Sequence, residues 1–468
     1  MTSTTISTKT STTGATASIG TDPAPAARLP IRKEPGLRSK FVIVGGGAGG
    51  LELACKLGRK LGPGQVMLVD SRLYHIWKPS LHEVAAGTLD IHQEGLSYQM
   101  LAHDNHFTYV YGPLTALDAA SRSLTVGAIH GEHGETILPQ RQIGYDALVL
   151  AVGSTSNYFG VPGAAEHTIS LNATEDAERF RLTLLKLLVK AELEQASRAR
   201  SGVDVVIIGG GATGVELAAE LREASGVYAA YGFGQLDPLK DVRITLLEGA
   251  PRILAPLPER VSSAALKLLL QRAITVATDT RVTAITDEKV AVQGGQEYPA
   301  DIVVWAAGIK APSFLAELGL PLAKGGQIEV GGDLAVPGFP GIYALGDCAH
   351  CVGADGKPVP PRAQAAHQQA DYLLDTFVRQ AEGRAPPTAP YAYRDYGSLV
   401  SFGPSTSVGS LMGSLKGLNW FVEGMFARLM YVSLHLLHHQ AVLGSVRTGV
   451  LALARFLIKR STPLVKLH

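Results

Sequence analysis

Short, unbroken apolar runs that end in glycine alternate along the chain with stretches of helical spacing. Phe41-Val42-Ile43-Val44 is the first run; Gly45, Gly47 and Gly50 follow it at G-x-G-x-x-G spacing, and a helical stretch opens at Leu51. Such runs predict strands buried on both faces, as in a parallel sheet. A second strand, Gln65-Val66-Met67-Leu68-Val69, ends in Asp70. Two β-rich segments, Phe107–Tyr111 and Ser123–Val126, precede a third apolar run, Tyr145–Val152, which stops at Gly153. The unit then recurs. Asp204–Ile208 runs into Gly209, Gly211 and Gly214, a helix starts at Val215, and Arg243–Leu247 ends in Glu248. Asp301–Ala307 stops at Gly308 as the earlier run stops at Gly153. One more apolar strand, Gly341–Leu345, ends at Gly346-Asp347, beyond the second unit.

The glycine spacing has a mechanical reason. The first glycine permits a tight turn, the second lets backbone approach a pyrophosphate, and the third lets helix pack on strand. The phosphate then meets the free N–H groups of a helix start, where the dipole favours an anion. Asp70 and Glu248 close their second strands, where a carboxylate accepts from a ribose hydroxyl. At Glu248 it also repels a 2′-phosphate, so NADH is expected over NADPH. The pattern predicts an α/β protein with two Rossmann-like dinucleotide-binding domains, the second inserted in the first. The expected boundaries are a Ser/Thr-rich tail at 1–38, a first domain at 39–163 and 330–395, a second at 164–329, and a C-terminal region at 396–468. The stretch from Gly226 to Asp241 is expected to be a surface excursion.

Length and charge narrow the class. A chain of 468 residues buries ample core. A net charge of +1 with 18% charged residues offers no electrostatic case for nucleic acid. The tail lacks the basic start and apolar centre of a signal peptide and reads as disordered. Three cysteines, Cys55, Cys348 and Cys351, make no disulfide framework. Cys348 and Cys351 invite a redox or metal reading, but a disulfide reductase would place a cysteine pair soon after the first fingerprint, and further zinc ligands are not at hand. No metal site is expected.

Further candidates lie between the strands. In Tyr74–Gly87, Lys78 and neighbouring backbone are expected to face the first nucleotide, while His75 and His82 read as parts of a packed connector. Asp347, at a strand end, can accept from a polyol such as ribityl. Gln364 and Gln368 stand at i, i+4 on the helix that follows, where their amides could meet a carbonyl-bearing ligand or simply water. From Gly424 onward there is no acidic residue. At roughly 100° per residue, Val446, Val450, Leu453, Ala454 and Leu457 share a face, with Arg447, Arg455 and Lys459 beside it. That describes a helix lying in a membrane interface and drawn to anionic lipid, or else packed on its own domain or on a second copy. No run is long and uncharged enough to predict a transmembrane helix.

With these residues in hand, the chain resembles the type II NADH:quinone oxidoreductases, across about residues 39–468. The resemblance rests on both fingerprints, the His75–Gly87 stretch, Gly346-Asp347, and Ala363-Gln364-Ala365-Ala366-His367-Gln368, which is similar to the family's Ala-Gln-x-Ala-x-Gln quinone signature. It implies non-covalent FAD near Gly45, Gly47, Gly50, Asp70, Lys78, Gly153, Asp347 and Gln364. It implies NADH near Gly209, Gly211, Thr213, Gly214, Glu216, Glu248 and Gly308. Glu216, Gln364 and Gln368 would then serve catalysis, with a membrane quinone accepting two electrons. Glu216 reads equally as an acid complementing the helix dipole. The proton source for the quinone stays open among Glu216, His367 and solvent. The implied location is peripheral, on the cytoplasmic face of the plasma membrane, with a homodimer left open. Two other readings fit the same motifs: a soluble NADH-dependent reductase of another acceptor, and a redox-sensing flavoprotein.

Overall fold

The computed structural model describes residues 37–196, 202–233, 235–353, 356–403, 407–412, 419–458 and 465. Strand β1 (Leu37–Val44) enters helix α1 (Ala48–Leu61), followed by β2 (Val66–Asp70), a 3₁₀ turn at Lys78–Ser80 and α2 (Leu81–Ala86). Then come β3 (Thr108–Tyr111), β4 (Leu114–Asp118), β5 (Ser123–Val126) and β6 (Arg141–Leu150). The second unit holds α3 (Thr174–Ala196), β7 (Val203–Ile208), α4 (Ala212–Tyr231), β8 (Val242–Leu247), β9 (Thr275–Ala277) and β10 (Ile302–Trp305). The chain closes with β11 (Ile342–Ala344), α5 (Ala363–Ala381), β12 (Gly397–Ser401), β13 (Ser407–Met412), β14 (Asn419–Glu423), α6 (Gly424–Leu443) and α7 (Ser445–Ile458).

The first sheet runs β3-β2-β1-β6-β5-β4, and β11 pairs with β6 in parallel, Leu148 opposite Ile342. The chain therefore leaves this sheet after β6, builds the second unit, and returns. The second sheet is parallel throughout, with Ile169–Ser170, β10, β7, β8 and β9 side by side. This is the inserted two-Rossmann arrangement, and the apolar strands follow from it because both faces are covered: in the second sheet Val205 and Ile207 pack with the helices, while Val206 and Ile208 pack with Val282, Val290 and Val292 of an antiparallel sheet. Phe41, Val42 and Ile43 have no exposed surface at all.

Two expectations need correction. The sheet begins at Leu37, so Leu37 and Arg38 belong to β1 and not to the tail; Arg38 pairs with Asp146 at 2.6 Å. Residues 1–36 lie outside the described residues. The expected surface excursion from Gly226 is helical as far as Tyr231, and Tyr228 is buried with its hydroxyl donating to the Ala86 carbonyl at 3.0 Å. The stretch does lie at the surface beyond that contact, where Ala230, Tyr231, Leu239 and Lys240 are exposed; what the sequence missed is that α4 carries its start.

Helix α2 fixes how the two units meet. Leu81, Val84, Ala85 and Ala86 follow β2 in sequence, yet they join the core cluster formed by α3, α4 and the second sheet. Val400, Phe402 and Val408 of the β12–β13 hairpin join the same cluster. Both crossings are apolar and buried, so the crevice between the units is held from two sides.

Candidate active site

Each unit ends its first strand in the same device. Gly45 and Gly209 take φ of +103° and +113°, and a Cβ on Gly50 or Gly214 would fall on the carbonyl oxygen of Gly45 or Gly209. Beside Gly47 and Gly211, by contrast, a Cβ would meet nothing within 4 Å. Those two residues cap α1 and α4, with no side-chain cap and no acid in the first turn. Open space in front of uncapped N–H groups fits a pyrophosphate at each site. Thr213 lies exposed in the first turn of α4.

The closing acids repeat the likeness. Asp70 accepts from the Gly46 N–H at 2.6 Å and the Arg72 N–H at 2.8 Å. Glu248 accepts from the Gly210 N–H at 2.5 Å and the Ala250 N–H at 2.7 Å. Each carboxylate thus braces its glycine turn and keeps lone pairs for a ribose hydroxyl. Burial pushes the Asp70 carboxyl up, against its backbone hydrogen bonds.

Lys78, Gly153 and Asp347 come together. The Lys78 ammonium lies 3.5 Å from the Ser154 carbonyl, and the Ser154 hydroxyl donates to Asp347 at 2.7 Å. Surrounding protein lowers the Lys78 basicity, which Asp347 partly restores. Gly153, at φ +70°, has no neighbour where a Cβ would stand, and Gly308, at φ +71°, faces the Phe159 ring. Ser154 was missed in the sequence, although it adjoins Gly153. Gln369 was missed too: buried on α5, its oxygen accepts from the Gly346 N–H at 2.7 Å.

The catalytic candidates are placed differently from expectation. Gln364 and Gln368 do share a face of α5, but neither amide is left to a ligand. Gln364 donates to Asp395 at 3.1 Å and to the Gly397 carbonyl at 3.3 Å, and accepts from the Tyr396 N–H at 3.2 Å. Gln368 exchanges two hydrogen bonds with the Arg394 backbone, at 2.8 and 2.9 Å. Glu216 lies beyond the first turn of α4, so it does not complement the helix N-terminus; its buried carboxylate accepts from the Ser401 N–H at 3.0 Å and stands 3.7 Å from His82 Nδ1. His82 and His75 are buried with polar contacts, more than the packed connector expected of them.

Cysteine chemistry finds no place. All three cysteines are free and buried, and burial pushes the Cys55 and Cys348 thiols up to about 12. Among the described residues, Glu94, His435 and His439 converge, and Arg455 pairs with Glu94 and reaches His439 Nε2 at 3.2 Å. The expected basic flank of the last helix is corrected accordingly. Arg455 is taken up by Glu94 and Arg447 by Asp104, so both turn toward the protein's own acids. Lys459 lies outside the described residues. Val446, Val450, Leu453 and Leu457 are exposed, as are Met425, Phe426 and Leu429 on α6. Among the described residues no helix is long and apolar enough to cross a membrane.

Residues 39–370 match the family described as pyridine nucleotide-disulphide oxidoreductase. The chain is 36% identical over 443 residues to a type II NADH:quinone oxidoreductase of Haemophilus influenzae, covering 91% of this chain and 99% of that protein. It is 29% identical over 388 residues to a demethylphylloquinone reductase of a Synechocystis species, covering 80% of this chain and 87% of that one. A solved structure of NDH2 from Plasmodium falciparum in complex with NADH shares the fold, with a TM-score of 0.76 at 19% identity over 92% of this chain and all of that one.

Proposed function

Because the chain belongs to the type II NADH:quinone oxidoreductases, peripheral NADH dehydrogenases that pump no protons, we propose that its first glycine turn holds FAD and its second holds NADH. The enzyme oxidises NADH and reduces a quinone. FAD, when bound, supplies the chemistry that takes a hydride from the nicotinamide and passes two electrons onward.

The chain's own residues do the rest. The uncapped N–H groups of α1, with Gly45, Gly47 and Gly50, receive the FAD pyrophosphate, and Asp70 takes a ribose hydroxyl. Asp347, oriented by Ser154, accepts from the ribityl chain, with Lys78 and Gly153 alongside. In the second unit Gly209, Gly211, Thr213 and Gly214 receive the NADH pyrophosphate, Gly308 lets its backbone approach, and Glu248 selects against a 2′-phosphate.

One observation carries the reading of the reaction centre. Strand β12 is tied at one end to Gln364 of α5, through Gly397, and at the other to Glu216 of α4, through the Ser401 N–H. It spans roughly 13 Å at about 3.3 Å per residue, from the helix behind Asp347 to the helix behind the second turn. Gln364 and Gln368 act by fixing this strand and the Arg394–Tyr396 backbone that precedes it, and so shape the wall a quinone meets. Glu216, with His82 at 3.7 Å, is a buried acid–base pair able to hold a proton for the quinone oxygens. The exposed apolar residues of α6 and α7 support contact with lipid on the cytoplasmic face, the side where NADH is available.

Filling the open space at one turn tests the division of labour. Gly211→Val is expected to raise the KM for NADH by about tenfold or more with FAD still bound, and Gly47→Val to lose FAD. The reverse pattern would overturn the assignment.

A further inference from the structure

Behind the first glycine turn, four buried or half-buried groups from distant parts of the chain form one hydrogen-bonded line. It starts at His367 on α5, which contacts Glu52 of α1, and continues from Glu52 to His438 Nδ1 on α6 at 2.8 Å. His438 Nε2 then meets His75 Nε2 at 2.9 Å, and His75 Nδ1 meets the Gly46 carbonyl at 2.9 Å. Gly46 is the second residue of the first glycine turn, the same residue whose N–H is held by Asp70. Glu52, His75 and His438 are each less than a tenth exposed.

Donor and acceptor rules decide where the protons lie. A carbonyl only accepts, so His75 Nδ1 carries a hydrogen, and the Tyr98 hydroxyl at 2.8 Å fills the second lone pair of Gly46. Burial, with His438 beside it, keeps His75 far less basic than an ordinary histidine, so its Nε2 is bare and accepts. His438 Nε2 must therefore donate. That leaves His438 Nδ1 facing a Glu52 oxygen, and this contact is attractive only with a proton in it. Without one, a nitrogen lone pair opposes a carboxylate at 2.8 Å in a buried site.

We infer that His438 and Glu52 are positioning residues for the FAD-binding turn, acting through His75, and that they hold it only while one proton is shared between them. The inference rests on the reading that this turn receives FAD. It also gives α6 two faces with distinct tasks: Met425, Phe426 and Leu429 look outward, while His438 reaches inward to the turn. The packing of α6 on α1 is thereby coupled to cofactor retention.

Other charges face the line from every side and set its pH range. Lys56 on α1 lies 3.3 Å from Glu52 and 2.6 Å from Asp371 on α5, and His367 Nε2 is 3.4 Å from the same aspartate. On α6, His439 stacks on His435 and meets Arg455 of α7, which pairs with Glu94. Tyr98 and Trp77 close the line with their rings around His75 and His438. Loss of the shared proton at alkaline pH leaves His438 one hydrogen for two acceptors; the Glu52 carboxylate holds it on Nδ1, and Nε2 then faces His75 Nε2 lone pair to lone pair, which uncouples the turn. Protonation of His75 at acid pH sets two N–H donors against each other. FAD retention therefore peaks between these limits.

The test follows FAD release by flavin fluorescence during heating of the full-length holoenzyme in detergent, from about pH 5.5 to about pH 9.5, a range that extends past the ordinary histidine titration on the alkaline side. The wild type is expected to release FAD at lower temperature toward the alkaline end. Glu52→Gln supplies an amide N–H to a neutral His438, so every bond forms without the extra proton; this variant is expected to retain FAD and lose the alkaline fall. His438→Phe is expected to release FAD earlier than wild type near neutral pH and to converge with it toward the alkaline end. An alkaline fall unchanged in Glu52→Gln, or wild-type release in His438→Phe at neutral pH, would overturn the inference. If His438→Phe does not fold, Glu52→Gln decides alone. Failure of the FAD reading is distinct, because no flavin would then co-purify with the wild type.

Discussion

The Asp70 carboxylate accepts the Gly46 N–H at 2.6 Å, so the acid at the end of β2 and the glycine turn after β1 form one rigid cradle. A side chain expected to read a ribose also holds the loop that receives the pyrophosphate. Asp70→Asn keeps one acceptor and loses charge assistance at both backbone N–H groups. At about 1.5–3 kcal/mol for a hydrogen bond to a charged group, FAD should bind about tenfold to a hundredfold more weakly. Titration of apoprotein with FAD measures this directly.

A variant at Glu216 would separate the two half-reactions. Glu216 lies with His82 between the units, with Ser401 fixing one oxygen, and no part of it is needed for the first glycine turn. Glu216→Gln is expected to leave FAD content unchanged and to slow flavin reoxidation by quinone about a hundredfold, the lower range for loss of a general acid or base. Stopped-flow recording of each half-reaction checks this.

Glu52 predicts an acid limit to stability. Burial pushes its carboxyl up, but the hydrogen bonds from His367 and His438 outweigh burial and bring it from 4.5 down to about 2. A carboxyl depressed in the folded state stabilises the fold fully above its unfolded value, and this is lost as pH falls from about 4.5 toward about 2. The loss amounts to about 3 kcal/mol. Glu52→Gln should lack this acid-dependent component, measured as the difference in denaturant midpoint between neutral pH and pH near 3 on the scale of that shift.

The cysteines should be silent. With all three buried and the Cys55 and Cys348 thiols pushed up to about 12, thiolate is negligible at neutral pH. An alkylating reagent should label none in the native protein and all three after denaturation, with activity unchanged by the native treatment.

Much of the site was legible because it is local. Strand, glycine spacing and closing acid sit in one stretch of chain, with Gly46 and Asp70 24 residues apart and Gly210 and Glu248 38 apart, so Gly45 to Asp70 and Gly209 to Glu248 could be read directly from the chain. The return of β11 to the first sheet was legible from the place of Gly346-Asp347 after the second unit. The helical spacing of Gln364 and Gln368 fixed their common face but not their partners, since the Arg394–Gly397 backbone arrives from a segment without a motif. His75 and His438 are 363 residues apart in sequence, and no periodicity links them. The basic flank of the last helix was misread for a related reason: a helical wheel shows where Arg447 and Arg455 point, not that Asp104 and Glu94 are waiting there.

Anaerobic stopped-flow absorbance of the full-length holoenzyme in detergent tests the central claim most directly. NADH is mixed first and a short-chain quinone second. The account predicts that NADH bleaches the flavin, that NADPH does so much more slowly because of Glu248, and that quinone then restores the colour within the time of steady-state turnover. A flavin that NADH leaves oxidised, or a bleached flavin that quinone cannot restore, would contradict it.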